Sequence, residues 1–178
     1  MSLSDITDFR EERYVRLYRA WVIVAETNRN RKFLKGTPLS KAAFVDFLLC
    51  NPNTQQMFYE SSGRTQKSLS LDDFLYQDNV EYGGLQDTKQ FSYSCVVLVN
   101  EGLLSFTKED GELLLTCIKE PIFLPDSNLS KKWIEEIKQI LPLLGKSINV
   151  LHSNILSSHY GSQPLYLNSS VDSSRTIQ

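Results

Sequence analysis

The sequence predicts a mainly α protein carrying one small antiparallel β-hairpin. Three observations predict it. Apolar residues recur at three- and four-residue steps near the N-terminus and again after residue 128, the spacing of helices with one buried face. The stretch QFSYSCVVLVNEGLLSFTKEDGELLLTCI, residues 90–118, holds the most apolar run and is interrupted at Asn100-Glu101-Gly102 and Glu109-Asp110-Gly111. Asp110-Gly111 between two apolar arms is a hairpin signature.

Residues 5–28 read as a long first helix. Asp5 or Thr7 is its cap, and Glu11 and Glu12 lie in early turns, where acids favour the helix dipole. Phe9, Tyr14, Leu17, Tyr18, Trp21, Val24 and Ala25 supply a broad apolar face. Arg10, Arg13, Arg16 and Arg19 step by three, so they drift across the polar half without aligning. Gly36-Thr37-Pro38 reads as a turn. A second helix is expected over 39–50, capped by Ser40, with Leu39, Phe44, Phe47, Leu48 and Cys50 inward. Asn51-Pro52 closes it, because a residue before proline is pushed out of the helical region. A short helix follows over 53–60, a loop over 61–68, a short amphipathic turn over 70–77 and a loop at 79–84.

Residues 88–101 fit two templates. Phe91, Cys95, Leu98 and Val99 follow helical steps, whereas Phe91, Tyr93, Cys95, Val97 and Val99 alternate as in a strand. The punctuation favours a helix. Asp87 with Gln90 resembles a capping box, Gly102 stands where a helix takes a left-handed C-terminal residue, and the length exceeds a typical strand. Val96–Val99 would suit a strand equally well. The hairpin over 103–118 completes a helix-and-wing, so residues 1–120 are expected to form a winged-helix-like core. Pro121 to Pro125 links it to a C-terminal helical extension, 121–156. There Leu129, Trp133, Ile137, Ile140, Leu141 and Leu144 share a stripe, Pro142 introduces a kink, and Ile148, Leu151 and Ile155 continue. Residues 157–178 contain seven serines and few apolar anchors, as in a tail that stays loose until a partner orders it.

Composition sets bounds on function. A chain of 178 residues, 41% hydrophobic and 22% charged, suits one soluble globular domain or two small ones sharing a core. The polar N-terminus lacks the apolar region of a secretory signal, and no run is long enough to cross a bilayer. A cytoplasmic protein without membrane contact is expected. Cys50, Cys95 and Cys117 form no close pair and read as core thiols in a reducing compartment. The net charge of −2 is uneven: residues 1–41 hold nine Lys/Arg against five Asp/Glu, the remainder ten against sixteen. Attraction for phosphate therefore belongs to the N-terminal quarter, and Arg16, Arg19, Arg29, Arg31, Lys32 and Lys35 are the candidate contacts.

No catalytic constellation appears. His152 and His159 stand two helical turns apart and no acid or cysteine joins them, which leaves no metal site. Asp72-Asp73 point about 100° apart on a helix and suit a cap better than a shared metal. Glu135-Glu136 among Lys131, Lys132 and Lys138 reads as a solvated face with i,i+3 pairing. No phosphate-binding glycine loop, metalloprotease motif or cofactor fingerprint occurs. The helix 88–101 offers Lys89, Gln90 and Asn100 to a DNA groove, but the wing tip, Lys108-Glu109-Asp110-Gly111-Glu112, carries −2 and phosphate would repel it.

The order of RYVRLYRAWVIV, LSKAAFVDFLLCNP and NEGLLSFTKEDGELLLTCI resembles the small middle components of three-component bacterial defence systems built around an SMC/Rad50-like ATPase, of which Lamassu is one type. The resemblance spans about residues 9–156 and rests on segment order and texture. It implies a winged-helix accessory subunit that sits on the ATPase and helps hold a nuclease effector, with non-specific DNA contact inside the complex and no catalytic residue or cofactor. The apolar C-terminal helices then offer Trp133, Ile137, Ile140, Leu144 and Leu151 to a partner. The alternative expectation is a winged-helix transcription regulator.

Overall fold

The computed structural model describes residues 13–64, 88–122 and 128–153. The predicted caps Asp5, Thr7 and Asp87, the segments at 65–84 with Asp72-Asp73, and the tail with His159 lie outside the described residues.

Helix α1 (Arg13–Asn28) is the central element. From Arg19 to Thr27 every residue except Trp21 is buried, because later helices and the sheet pack around it. The face predicted from Tyr14, Leu17, Tyr18 and Trp21 is therefore only part of the contact. Tyr14 is 73% exposed, and Val22 and Ile23 are fully buried.

A 3-10 turn (Arg31–Phe33) leads into β1 (Thr37–Pro38), where the sequence predicts only a turn. Strand β1 pairs antiparallel with a later strand through Thr37↔Leu115 and Pro38↔Leu114. Proline, lacking an N–H, is tolerated there because β1 is an edge strand. Gly36 makes the approach possible: its φ is 132°, and a Cβ built on it would lie 2.9 Å from the Leu114 Cβ.

Helix α2 (Leu39–Cys50) has the predicted bounds but not the predicted cap. Pro38 occupies the cap position and no side chain caps the helix. Asn51 interrupts the chain, and α3 (Pro52–Ser61) begins with proline in its first turn, where no N–H is required.

Helix α4 (Thr88–Asn100) resolves the helix–strand ambiguity. Phe91, Ser94, Cys95 and Leu98 are buried at helical steps, while Tyr93 is 61% exposed, which strand alternation would not produce. The helix ends in a Schellman motif. Gly102, at φ 66°, donates its N–H to the Val99 carbonyl at 2.9 Å, and Leu103 donates to Leu98 at 2.9 Å. Strands β2 (Leu104–Glu109) and β3 (Glu112–Cys117) form the predicted hairpin. Asp110 and Gly111 both have positive φ, as a two-residue primed turn demands. The sheet order is β1-β3-β2.

Helix α5 (Asn128–Ile140) passes into a 3-10 segment (Leu141–Gly145) containing Pro142, followed by helical turns over 148–153. The protein is thus mainly α with a small three-stranded antiparallel sheet. One hydrophobic core joins α1, α2, α3, α4 and the hairpin to Trp133, Ile137, Ile140, Leu141, Leu144 and Leu151. The segment expected as an extension packs into the same core as the rest.

Candidate functional site

Two surfaces of opposite charge stand out, one at the N-terminal end of α4 and the other at the hairpin tip. The first is a groove of about 390 Å³ between α1 and α4. Arg13, Arg16 and Leu17 line it from α1, and Lys89, Gln90, Tyr93 and Ser94 from α4. Helical spacing places these groups: 13, 16 and 17 share a face of α1, and the pairs 89/93 and 90/94 run down α4. Arg16 donates a guanidinium N–H to Gln90 Oε1 at 2.9 Å, which ties the two walls together. Ser94 is buried and its hydroxyl donates to the Gln90 carbonyl at 3.1 Å. The described lining thus brings three cations beside an exposed phenol ring.

The second surface is the hairpin tip. Glu109, Asp110 and Glu112 are exposed there, and Lys35 Nζ lies 3.8 Å from Glu109 Oε1. Leu113 on β3 is exposed, and beyond the hairpin Ile118 and Ile122 are 57% and 76% exposed. The backbone after β3 is anchored on α1: the Trp21 indole N–H donates to the Lys119 carbonyl at 2.7 Å, and the Tyr18 hydroxyl to the Ile122 carbonyl at 3.2 Å.

The six candidate phosphate contacts do not form one surface. Arg16 belongs to the groove. Arg29, Arg31, Lys32 and Lys35 gather beyond the other end of α1, roughly 20 Å along the helix at 1.5 Å per residue. Arg29 pairs with Glu26 and, at 2.6 Å, with Glu120, and Lys35 faces Glu109. Arg19 is not a surface cation. It is 4% exposed, its Nε lies 2.6 Å from Asp46 Oδ1, and its guanidinium sits 5.8 Å from the Trp133 ring centroid.

The five side chains expected to meet a partner are also corrected. Trp133, Ile137, Ile140, Leu144 and Leu151 are all at most 5% exposed. Their stripe is amphipathic, as read from the sequence, but its apolar side is covered by this chain's own α1 and α2.

The remaining reactive groups are placed as quiet ones. Cys95 is buried, and burial, then the nearby Asp46 carboxylate, pushes its thiol up to about 12. Burial also raises Cys117, whose Sγ donates to the Lys119 carbonyl at 3.0 Å. A thiol held protonated is a poor nucleophile. Cys50 is half-buried, and all three cysteines are free. His152 stands edge-on to Phe44 with ring centroids 5.3 Å apart, and burial lowers its pKa, so the imidazole is neutral near pH 7. Among the described residues no three His, Cys, Asp or Glu side chains approach closely enough to hold a metal, and no helix is long and apolar enough to cross a membrane. Glu136 pairs with Lys132 at 3.9 Å across i,i+4, one residue longer than the expected spacing.

No protein-family model, no curated protein and no solved structure matches the chain. The site is therefore read from its own chemistry. Sequence reading singled out Lys89 and Gln90, but not the pairing of α4 with α1 that sets Arg13, Tyr93 and Ser94 beside them.

Proposed function

We propose that this protein is a non-enzymatic accessory subunit of an SMC/Rad50-like ATPase–nuclease defence complex, docking through its hairpin and helping to hold the effector. The observation that carries the reading is the acidic tip at Glu109, Asp110 and Glu112 beside exposed Leu113, with exposed Ile118 and Ile122 beyond it. An acidic tip with an apolar side chain beside it suits a basic, partly apolar protein surface and repels a phosphate backbone. The resemblance in segment order supplies the identity of the partner. The test is co-purification with the products of adjacent genes. Capture of an ATPase is expected, and Leu113→Asp with Ile118→Asp is expected to abolish it. A chain that ignores its gene neighbours overturns the reading.

A second reading, a winged-helix regulator, is favoured by one arrangement: α4 immediately precedes the hairpin, and β3 lies between β1 and β2. Salt-sensitive, sequence-specific retardation of its own upstream DNA would establish that reading. Absence of binding at low salt removes it.

A further inference from the structure

We infer that the groove between α1 and α4 binds a phosphorylated nucleotide, either free or at the end of a single strand. Its volume of about 390 Å³ lies within the roughly 300–1,000 Å³ of small-molecule sites. Arg13, Arg16 and Lys89 converge on it from two helices, and guanidinium and ammonium groups are the usual partners of phosphate oxygens. Tyr93 stands on the same wall as Lys89, one helical turn on, with its ring 61% exposed. A flat aromatic face one turn from a cation offers the two contacts a nucleotide needs, phosphate on charge and base on ring. The Arg16–Gln90 hydrogen bond at 2.9 Å holds one guanidinium across the groove before any ligand arrives.

Charge also limits what fits. Helix α4 is about 20 Å long at 1.5 Å per residue, cationic at its start and followed by the acidic hairpin. A duplex keeps its bases paired and stacked, which would leave the Tyr93 ring without a base face. A mononucleotide or a strand end needs only the cationic end. An acidic peptide would satisfy the cations but would leave the Tyr93 ring without a planar partner.

The experiment is equilibrium binding to the full chain, at low and physiological salt, of pyrophosphate, thymidine monophosphate, a terminally phosphorylated oligothymidylate, the corresponding duplex and oligoglutamate. Nucleotide and oligothymidylate are expected to bind more tightly than pyrophosphate, oligoglutamate or duplex. Tighter binding of the oligomer than of the monophosphate marks a strand end as the ligand; equal binding marks the free nucleotide. Tyr93→Ala is expected to weaken both about ten-fold, the usual scale for removing one base stack, while leaving pyrophosphate unchanged. Arg13→Ala with Lys89→Ala is expected to weaken all phosphate ligands at least ten-fold. Arg13, Lys89 and Tyr93 are exposed, so these variants keep the fold, which thermal unfolding checks. Pyrophosphate binding as tightly as nucleotide, preferred binding of duplex or oligoglutamate, or no binding at low salt overturns the inference. None of these outcomes bears on capture by the hairpin, which uses other residues.

Discussion

Arg19 on α1 reaches Asp46 on α2 at 2.6 Å, and the same guanidinium lies over Trp133 on α5. One cation thus joins three helices. Arg19 is 4% exposed and Asp46 19%, so the pair is largely out of water. Removing one member leaves the other charge without its compensation, which costs about 3–5 kcal/mol for buried pairs and toward the lower figure here because Asp46 keeps some solvent. Asp46→Asn and Arg19→Met are each expected to lower unfolding free energy by about 3 kcal/mol. The double variant Arg19→Met/Asp46→Asn is expected to lose less than the sum. Urea denaturation of the four chains closes the cycle.

The helices were legible where the chain carries its own punctuation. Asn51-Pro52 ended α2, and Gly102 ended α4 even though the valines at 96, 97 and 99 suited a strand. What stayed hidden was pairing across distance. Strand β1 is two residues long, too short for any period, and exists only because Leu114 and Leu115 lie beside it. The groove depends on Arg16 meeting Gln90, 74 residues away. Arg19 looks like a surface cation by its helical step and is buried by two helices that the step does not reveal. The stripe through Trp133 and Ile137 is apolar in the sequence and buried in the structure, yet a stripe does not say whether its cover is another protein or the same chain.

Two glycines with positive φ separate strain from space. Gly102 has φ 66° with nothing within 4 Å of an added Cβ, whereas Gly36 has φ 132° and the Leu114 Cβ at 2.9 Å. Gly102→Ala therefore meets only the left-handed backbone penalty, about 1 kcal/mol. Gly36→Ala adds a collision between strands and is expected to cost at least about 2 kcal/mol. Thermal unfolding midpoints ordered wild type, Gly102→Ala, Gly36→Ala from high to low are the expected result. The reverse order of the two variants would mean that β1 yields freely.

His152 gives the fold an acid dependence. Burial lowers its pKa below the ordinary 6.5, so as pH falls through 6.5 the unfolded chain takes up a proton before the folded chain does. More protons on the unfolded state means that stability declines with falling pH. The contribution of neutral His152 is whole above about 6.5 and is lost progressively below it, with a slope of at most about 1.4 kcal/mol per pH unit. His152→Gln, which does not titrate, is expected to flatten the stability profile between pH 6.5 and 5. Parallel profiles for the two chains would remove His152 as the cause.

Asn28 replaces a strand partner that β1 is too short to supply. Its Nδ2 donates to the Leu115 carbonyl at 3.2 Å and to Thr37 Oγ1 at 2.8 Å, while its Oδ1 accepts from the Cys117 N–H at 2.8 Å. The chain of donors continues inward: Thr37 Oγ1 donates to Thr27 Oγ1 at 2.7 Å, and Thr27 to the Val24 carbonyl at 3.0 Å. Every hydroxyl in the series has one donor direction assigned, so the groups must act together. Asn28→Ala strips two backbone groups of β3 and a buried hydroxyl of their partner and is expected to cost about 2–3 kcal/mol. Asn28→Asp keeps the acceptor for Cys117 but turns a carboxylate oxygen towards the Leu115 carbonyl, so it is expected to destabilise at least as much despite its matching shape. Amide exchange at Cys117 provides the local readout. It is expected to quicken in Asn28→Ala and to remain slow in Asn28→Asp relative to the loss of global stability. Equal, fully global exchange in both would show that the side chain does not stand in for a strand.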